Sequence, residues 1–242
     1  MKNYQYVLEF KKEHPEPLLI KNILNYAWKN TPSKNNFMNY SVHVIKPSSK
    51  DLRLKIFYKC LEKQSKSNGN HIQGLKKLQE YESHLKEIKA EPLFRNVKSA
   101  PYIIIYTQRV VDKSTMNSIQ QQNTDKGMVY EQTFDQGTKK FQAATHLARL
   151  EIGMFANNFA NKCLTHNVDV SYIACMPSEL EYWSEPEFSF IKHSPLLIQL
   201  AGYGDVYRRD FLSPEEDRKP QFEEVVNLLE VDPRGLQNEV RT

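Results

Sequence analysis

Apolar residues in the first half of the chain follow the spacing of amphipathic helices and of one short strand. Between residues 18 and 27 they recur every three or four positions, which predicts a helix with one buried face. Residues 41–45 alternate polar and apolar side chains, as a half-buried strand does. A lysine-rich helix over 52–63 and a second amphipathic helix that begins near residue 72 follow.

The second half contains the most apolar segments. Residues 102–106 read Tyr-Ile-Ile-Ile-Tyr, which is typical of a strand buried on both faces. Over 139–164 the apolar positions cover a wide arc of a helix, so this long helix should be central and buried. Strand patterns return at 168–175 and 196–203. This order of elements suits an α+β or a mixed α/β domain.

Polar stretches and repeats bear on the domain organisation. Residues 112–126 are polar and aperiodic, which predicts a long loop. A short amphipathic helix is predicted over 222–229, near the end of the chain. Neither an internal repeat nor a clear linker divides the sequence. We therefore expect a single domain over residues 1–242, with a C-terminal tail.

Composition narrows the classes of function. The chain has 242 residues, 40% of them hydrophobic, and a net charge of +4 that is spread along its length. Nucleic-acid binding is therefore permitted but not indicated. No apolar run reaches the roughly 18 to 20 residues that span a bilayer, and the three cysteines form no C-x-x-C pair. We expect a cytoplasmic protein with reduced thiols and no membrane anchor.

Motifs of hydrolytic and nucleotide-binding sites do not occur in the sequence. The patterns G-x-S-x-G, H-E-x-x-H and the P-loop are absent. Gly202 and Gly204 lack the third glycine of a dinucleotide-binding turn. The histidines are scattered, and the glutamates between 179 and 187 suit a solvated loop as well as an acid and base pair. The sequence therefore indicates no metal site and no catalytic acid, base or nucleophile.

One dense motif, Pro32-Ser33-Lys34-Asn35-Asn36, stands between the first helix and the strand that follows it. It resembles the P-S-x-x-N motif of the FMN-dependent nitroreductase family, which has the same helix, loop and strand context. Further features follow in the family's order. They are Ala100-Pro101 before the buried strand, the long helix, Pro177 after a strand, Gly202-Tyr203, and Arg218-Lys219-Pro220.

The resemblance implies a nitroreductase-like α+β fold, with a mixed, mainly antiparallel sheet, flanking helices and a long central helix. It also implies that FMN is the cofactor. Ser33 and Asn36 would hydrogen-bond the flavin, Pro177 would lie near its ring, and Arg218 would bind its phosphate, since a flavin needs short polar groups and a cation. The residues assigned to the cofactor are Pro32, Ser33, Asn36, Pro177, Glu179 and Arg218.

The activity that the resemblance implies is an NAD(P)H-dependent reduction. Hydride would pass from NAD(P)H to flavin N5 and then to a small oxidised acceptor, such as a nitroaromatic or a quinone. Because the cofactor does the chemistry, the protein needs no evident acid or base of its own. Members of the family are usually homodimers with flavins at the subunit interface, so we expect a homodimer.

Departures from the family pattern leave an alternative open. The stretch from Tyr4 to Phe10 has no arginine where the family holds the FMN phosphate, although Lys11 and Lys12 follow it. Residues 38–40 are Met-Asn-Tyr where the family often has Gln-Pro-Trp. The alternative is a non-catalytic protein that keeps the fold, has lost FMN, and binds a small ligand or a partner.

Overall fold

Short strands alternate with helices along the chain. The computed structural model describes residues 6–33, 38–67, 69–87, 95–109, 139–173 and 176–208. The elements of the first half are β1 (Tyr6–Phe10), α1 (Pro17–Asn30), β2 (Tyr40–Ile45), α2 (Lys50–Ser67), α3 (Leu75–Glu87) and α4 (Arg95–Ser99). Those of the second half are β3 (Tyr102–Gln108), α5 (Lys139–Leu164), β4 (Asp169–Ile173), the short 3-10 helices Leu180–Trp183 and Pro186–Phe188, β5 (Pro195–Gly202) and β6 (Gly204–Arg208).

Contacts divide the chain into two units. Tyr6–Tyr207 forms one, and Met1–Gln5 with Arg208–Thr242 forms the other. The expectation of a single domain over 1–242 stays a prediction. The predicted loop at 112–126 and the predicted helix at 222–229 lie outside the described residues. No helix of the described ranges is both long and apolar enough to cross a bilayer.

The main sheet has the strand order β2-β3-β5-β4, and every neighbouring pair is antiparallel. His43, Ile105, Ile198 and Ile173 form one row across it. Strands β1 and β6 form a separate two-stranded sheet. Helices combined with antiparallel strands confirm the predicted α+β class.

Strand β3 is buried on both faces because helices cover both sides of the main sheet. Tyr102, Ile104 and Tyr106 belong to the core that α1 and α5 share with the sheet, which we call the α5 face. Ile103 and Ile105 belong to the core that α2 shares with the sheet, which we call the α2 face. The alternation follows from the two-residue period of a strand. It confirms the prediction that this strand is buried on both faces.

Helix α5 packs against the sheet and α1. Its buried apolar residues recur at helical spacing, and they are Ala148, Ile152, Phe155, Ala156, Phe159 and Cys163. The predicted burial is confirmed for one face of the helix only, because Leu150 and Leu164 are exposed. Burial also raises the pKa of the Cys163 thiol, so that this group stays protonated. One charged residue, Glu151, lies on the same buried face of the helix.

Two features of the motif series touch one another in the fold. A Cβ at Gly202 would stand 2.6 Å from Cδ and Cγ of Pro101 and 2.9 Å from Cδ1 of Phe10. These distances are too short for any side chain, so only glycine fits without a shift of its neighbours. The close approach of Pro101 and Phe10 therefore explains why residue 202 is glycine.

Candidate functional site

The end of α1 brings Ser33 close to α5. The hydroxyl of Thr31 donates to the carbonyl of Ala27 at 2.7 Å. From α5, the side-chain amide of Asn158 donates to the carbonyl of Asn30 at 3.0 Å and to the Thr31 hydroxyl at 3.3 Å. These contacts satisfy part of the open carbonyl end of α1. They also set the direction in which the chain leaves the helix.

Ser33 belongs to a hydrogen-bonded network around Glu151 of α5, which we call the Glu151 network. Ser33 Oγ donates to Glu151 Oε1 at 2.9 Å, and the backbone N–H of Asn39 donates to Oε2 at 3.1 Å. The N–H of Met38 donates in turn to Ser33 Oγ at 2.8 Å. Glu151 is only 2% exposed, so its charge is satisfied within the protein.

Within the described part of the chain, the hydroxyl of Ser33 has two hydrogen-bond partners and one further position. A hydroxyl has one donor and two acceptor positions. Its donor goes to Glu151, and one acceptor position takes the N–H of Met38. A ligand that reached Ser33 would therefore meet an acceptor, and it would have to offer an N–H or O–H group.

Met38 and Tyr40 lie on either side of Asn39 in the sequence. Met38 has a φ of 48°, in the left-handed region that side chains with a Cβ seldom adopt. Tyr40 is buried at the start of β2, with its ring edge-on to Phe155 at 5.6 Å. Burial, and secondarily the charge of Glu151, raise the pKa of Tyr40 to about 12. The phenol is therefore neutral at physiological pH.

Pro177 begins a second region, on the α2 face of the sheet. Its carbonyl accepts a hydrogen bond from Nε1 of Trp183 at 2.9 Å. Trp183 is 2% exposed and packs edge-on against Phe188, with 5.2 Å between the ring centres. Both rings belong to the core on the α2 face. Apolar burial therefore anchors the segment that follows Pro177.

Three glutamates of this segment pair with three lysines of α2, a set that we call the lysine ladder. The pairs are Lys63 with Glu179, Lys59 with Glu185, and Lys55 with Glu187. The lysines are four residues apart and so share one helix face. The hydrogen bond from Lys63 lowers the pKa of the Glu179 carboxyl, and the same bond raises the pKa of Lys63.

The six residues assigned to a cofactor fall into three pairs. Pro32 and Ser33 lie at the end of α1, where Pro32 is exposed and Ser33 joins the Glu151 network. Pro177 and Glu179 lie on the α2 face, where Pro177 is buried and Glu179 is held by Lys63. The third pair lies outside the described residues: Asn36 and Arg218.

The two described pairs lie toward the same end of the main sheet. Strand β2 begins at Tyr40, opposite Gln108, the last residue of β3. Strand β4 ends at Ile173, and the chain leaves it toward that end. The Glu151 network is nevertheless on the α5 face and Pro177 on the α2 face. In the described part of the chain, no hydrogen bond or ion pair joins Ser33 to Pro177 or Glu179.

Sequence reasoning missed Glu151, although a signal is present. The residue lies three positions after Ala148 and four before Phe155, so it falls within the apolar arc of the long helix. An acid in a buried arc requires hydrogen-bond partners. The four-residue spacing of Lys55, Lys59 and Lys63 was a similar signal for the lysine ladder.

Within the ranges that the structure describes, no group of three or more His, Cys, Asp or Glu side chains could hold a metal ion. His43 of β2 is bonded to the Thr107 hydroxyl at 3.1 Å, and burial lowers its pKa. Cys60 and Cys163 are both buried thiols.

No family model matches the chain, and no curated protein matches it. Several solved structures do match the chain. A provisionally named NAD(P)H:FMN oxidoreductase from Staphylococcus epidermidis has a TM-score of 0.60 at 13% identity, over 94% of this chain and 92% of the other. A nitroreductase-like protein from Streptococcus mutans gives 0.56 at 15%, over 94% and 95%. A BluB-like flavoprotein from Clostridium difficile gives 0.54 at 15%, over 93% and 94%.

These likenesses cover nearly the whole of each chain at identities too low to compare individual site residues. They establish the fold: the chain is nitroreductase-like in structure. The resemblance that the order of the sequence motifs predicted is confirmed at this level. Fold alone does not define function, because one fold carries many activities.

Proposed function

We propose that the protein is an FMN-dependent oxidoreductase, which transfers hydride from NAD(P)H through flavin N5 to a small oxidised acceptor such as a nitroaromatic or a quinone. The observation that carries the proposal is a nitroreductase-like fold over most of the chain, with the P-S-x-x-N motif between α1 and β2. Structures of this fold include ones named as an NAD(P)H:FMN oxidoreductase and a flavoprotein.

The chemistry of Ser33 fits a flavin. The remaining acceptor position of its hydroxyl suits a flavin N–H or a ribityl hydroxyl. Asn36 would add a second hydrogen bond, the segment from Pro177 to Glu179 would cover the ring and exclude water, and Arg218 would bind the phosphate. When bound, FMN would supply the acceptance and donation of hydride.

A homodimer would account for the placement of the two described pairs. Ser33 is on the α5 face and Pro177 is on the α2 face, so one copy does not join them by any described bond. A site between two copies would combine Ser33 of one with Pro177 of the other. The resemblance supports this arrangement, because family members usually hold flavins at the subunit interface. A cytoplasmic location stays a prediction.

The alternative, a non-catalytic binding protein without FMN, is favoured by two observations. The stretch from Tyr4 to Phe10 contains no arginine for the phosphate. The carboxylate of Glu179 is held by Lys63 of α2, so that side chain is engaged within the protein. Such a protein would bind another small ligand or a partner through the residues assigned to the flavin.

The visible absorbance spectrum of the full-length protein separates the two candidates. It is recorded as purified, again after incubation with FMN and desalting, and finally after NADH or NADPH is added without oxygen. A flavin spectrum that bleaches with either nucleotide supports the oxidoreductase. A protein that keeps no FMN after desalting contradicts it and favours the binding protein. Light scattering on the same samples tests the homodimer.

A further inference from the structure

Glu151 places a carboxylate on the apolar face of α5. A buried charge is tolerated when its oxygens accept well-directed hydrogen bonds. Oε1 accepts from Ser33, 118 residues away in the sequence, and Oε2 accepts from the N–H of Asn39, 112 residues away. One side chain therefore bonds residues on both sides of positions 34–37, the segment that completes the P-S-x-x-N motif.

These bonds act on a strained part of the backbone. Met38 is in the left-handed region at a φ of 48°, a conformation that persists where surrounding contacts impose it. Its N–H is bonded to Ser33 Oγ, and the next N–H is bonded to Glu151. A proline at position 39 would have no N–H to donate. Asn39 and Glu151 thus supply a matched donor and acceptor.

We propose that Glu151 is a positioning residue, which orients the Ser33 hydroxyl as an acceptor toward the ligand and holds Met38 and Asn39 in their observed conformation. Because the Ser33 donor is directed to Glu151, the ligand group recognised at Ser33 is a hydrogen-bond donor. The identity of the ligand as FMN rests on the proposed function. The hold of Glu151 on Met38 and Asn39 does not.

The variant Glu151→Met in the full-length protein separates positioning from core stability. Methionine fills the space but leaves the buried donors of Ser33 and Asn39 without an acceptor. We therefore expect a thermal midpoint that is lower by a few degrees, with the change in exchange confined to the neighbourhood of Ser33. We also expect amide hydrogen exchange at Met38 and Asn39 to accelerate about tenfold, and the Kd for FMN to rise about tenfold.

Two further variants sharpen the result. Glu151→Gln keeps one oxygen for Asn39, but its amide would donate to Ser33 Oγ and occupy the remaining acceptor position of that hydroxyl. Exchange at Asn39 should therefore return to within about threefold of the wild-type rate, while the Kd for FMN stays raised about tenfold. Glu80→Met makes the same change as the main variant at an exposed position of α3. It should alter neither the exchange at Met38 and Asn39 nor the Kd.

Several results would overturn the proposal. One is unchanged exchange at Met38 and Asn39 in Glu151→Met. Another is exchange that accelerates throughout β3 as much as at Met38 and Asn39, which would assign Glu151 to the core as a whole. If Glu151→Met does not fold, Ser33→Ala decides: Met38 should exchange faster while Asn39 stays protected by Glu151, and loss of both protections contradicts the proposal. If wild-type protein does not bind FMN, the proposed function fails, while the exchange data still decide the role of Glu151.

Discussion

The Glu151 network and the lysine ladder both use carboxylates to hold a loop on a helix, but in opposite surroundings. Glu151 is buried, and each of its oxygens accepts a directed hydrogen bond. Glu179 has a side chain that is 42% exposed and meets the flexible ammonium group of Lys63. A buried carboxylate with directed hydrogen bonds therefore fixes the positions of its partners, whereas the attraction between an exposed carboxylate and a lysine is weak and screened by salt.

The residues between Pro177 and Phe188 therefore need another source of order, and Trp183 supplies it. The indole is buried, donates to the carbonyl of Pro177, and packs on Phe188. The ion pairs of the lysine ladder add little to a segment that apolar burial already holds in place. The Glu151 network, in contrast, holds Ser33 and Asn39 by direct hydrogen bonds to a buried carboxylate.

The variant Trp183→Ala should have the largest effect. Loss of a buried aromatic side chain destabilises a protein by about 3 to 5 kcal/mol, and the Pro177 carbonyl would also lose its donor. Denaturant unfolding measures the change. The control Leu180→Ala alters an exposed residue in the same short helix and should stay within about 0.5 kcal/mol of wild type. A small effect of Trp183→Ala would contradict this prediction and indicate that the ion pairs of the lysine ladder anchor the segment.

The variant Ser33→Ala should have an intermediate effect. It removes a donor to a buried carboxylate and the acceptor of the Met38 N–H, which should destabilise the protein by about 1 to 3 kcal/mol. Ser83→Ala, which removes a hydroxyl from exposed α3, is the matched control for the same unfolding measurement. Equal effects of the two variants would mean that the Glu151 network contributes no more than a surface hydroxyl.

The variant Lys63→Met should have the smallest effect. An exposed ion pair contributes about 0 to 1 kcal/mol, and salt reduces it further. Because the pKa of Glu179 is lowered from 4.5, its contribution is present above that pH and is lost as the pH falls through the lowered value. Because the pKa of Lys63 is raised from 10.5, the contribution of the lysine is lost only above that pH.

The free energy of unfolding, measured at neutral pH and again near pH 3, tests this pH dependence. The difference between wild type and Lys63→Met should shrink at the lower pH and at high salt. Lys76→Met, on exposed α3, removes a lysine that lies outside the ladder and serves as control. A loss of several kcal/mol at neutral pH, unaffected by salt, would contradict the distinction between the two regions.

The pattern of apolar residues predicted strand β3 and helix α5. The Tyr-Ile-Ile-Ile-Tyr run lies in β3, and the wide apolar arc lies in α5. Helix α4 was not predicted, because its five residues are too few to show a period. The order of short motifs predicted the nitroreductase-like fold, although Gly202, in one of them, is explained by its packing against Pro101.

The candidate site was predictable only in part. Pro32, Ser33 and Asn36 stand together in the sequence, so a local motif can indicate them. Glu151 cannot be found in this way, because its partners are more than a hundred residues distant. The roles of Asn36 and Arg218 remain proposals that rest on the resemblance.

The sequence by itself determined the four longer helices and the four strands of the main sheet, the burial of β3 and of one face of α5, and the position of the P-S-x-x-N motif. Each of these depends on residues near one another along the chain. Only the tertiary structure decided what those residues contact. It turned the donor of Ser33 toward Glu151, paired Glu179 with Lys63, and put Ser33 and Pro177 on opposite faces of one sheet. The reason is physical: hydrogen bonds and ion pairs form between groups that are close in space, and the folding of distant segments sets that proximity.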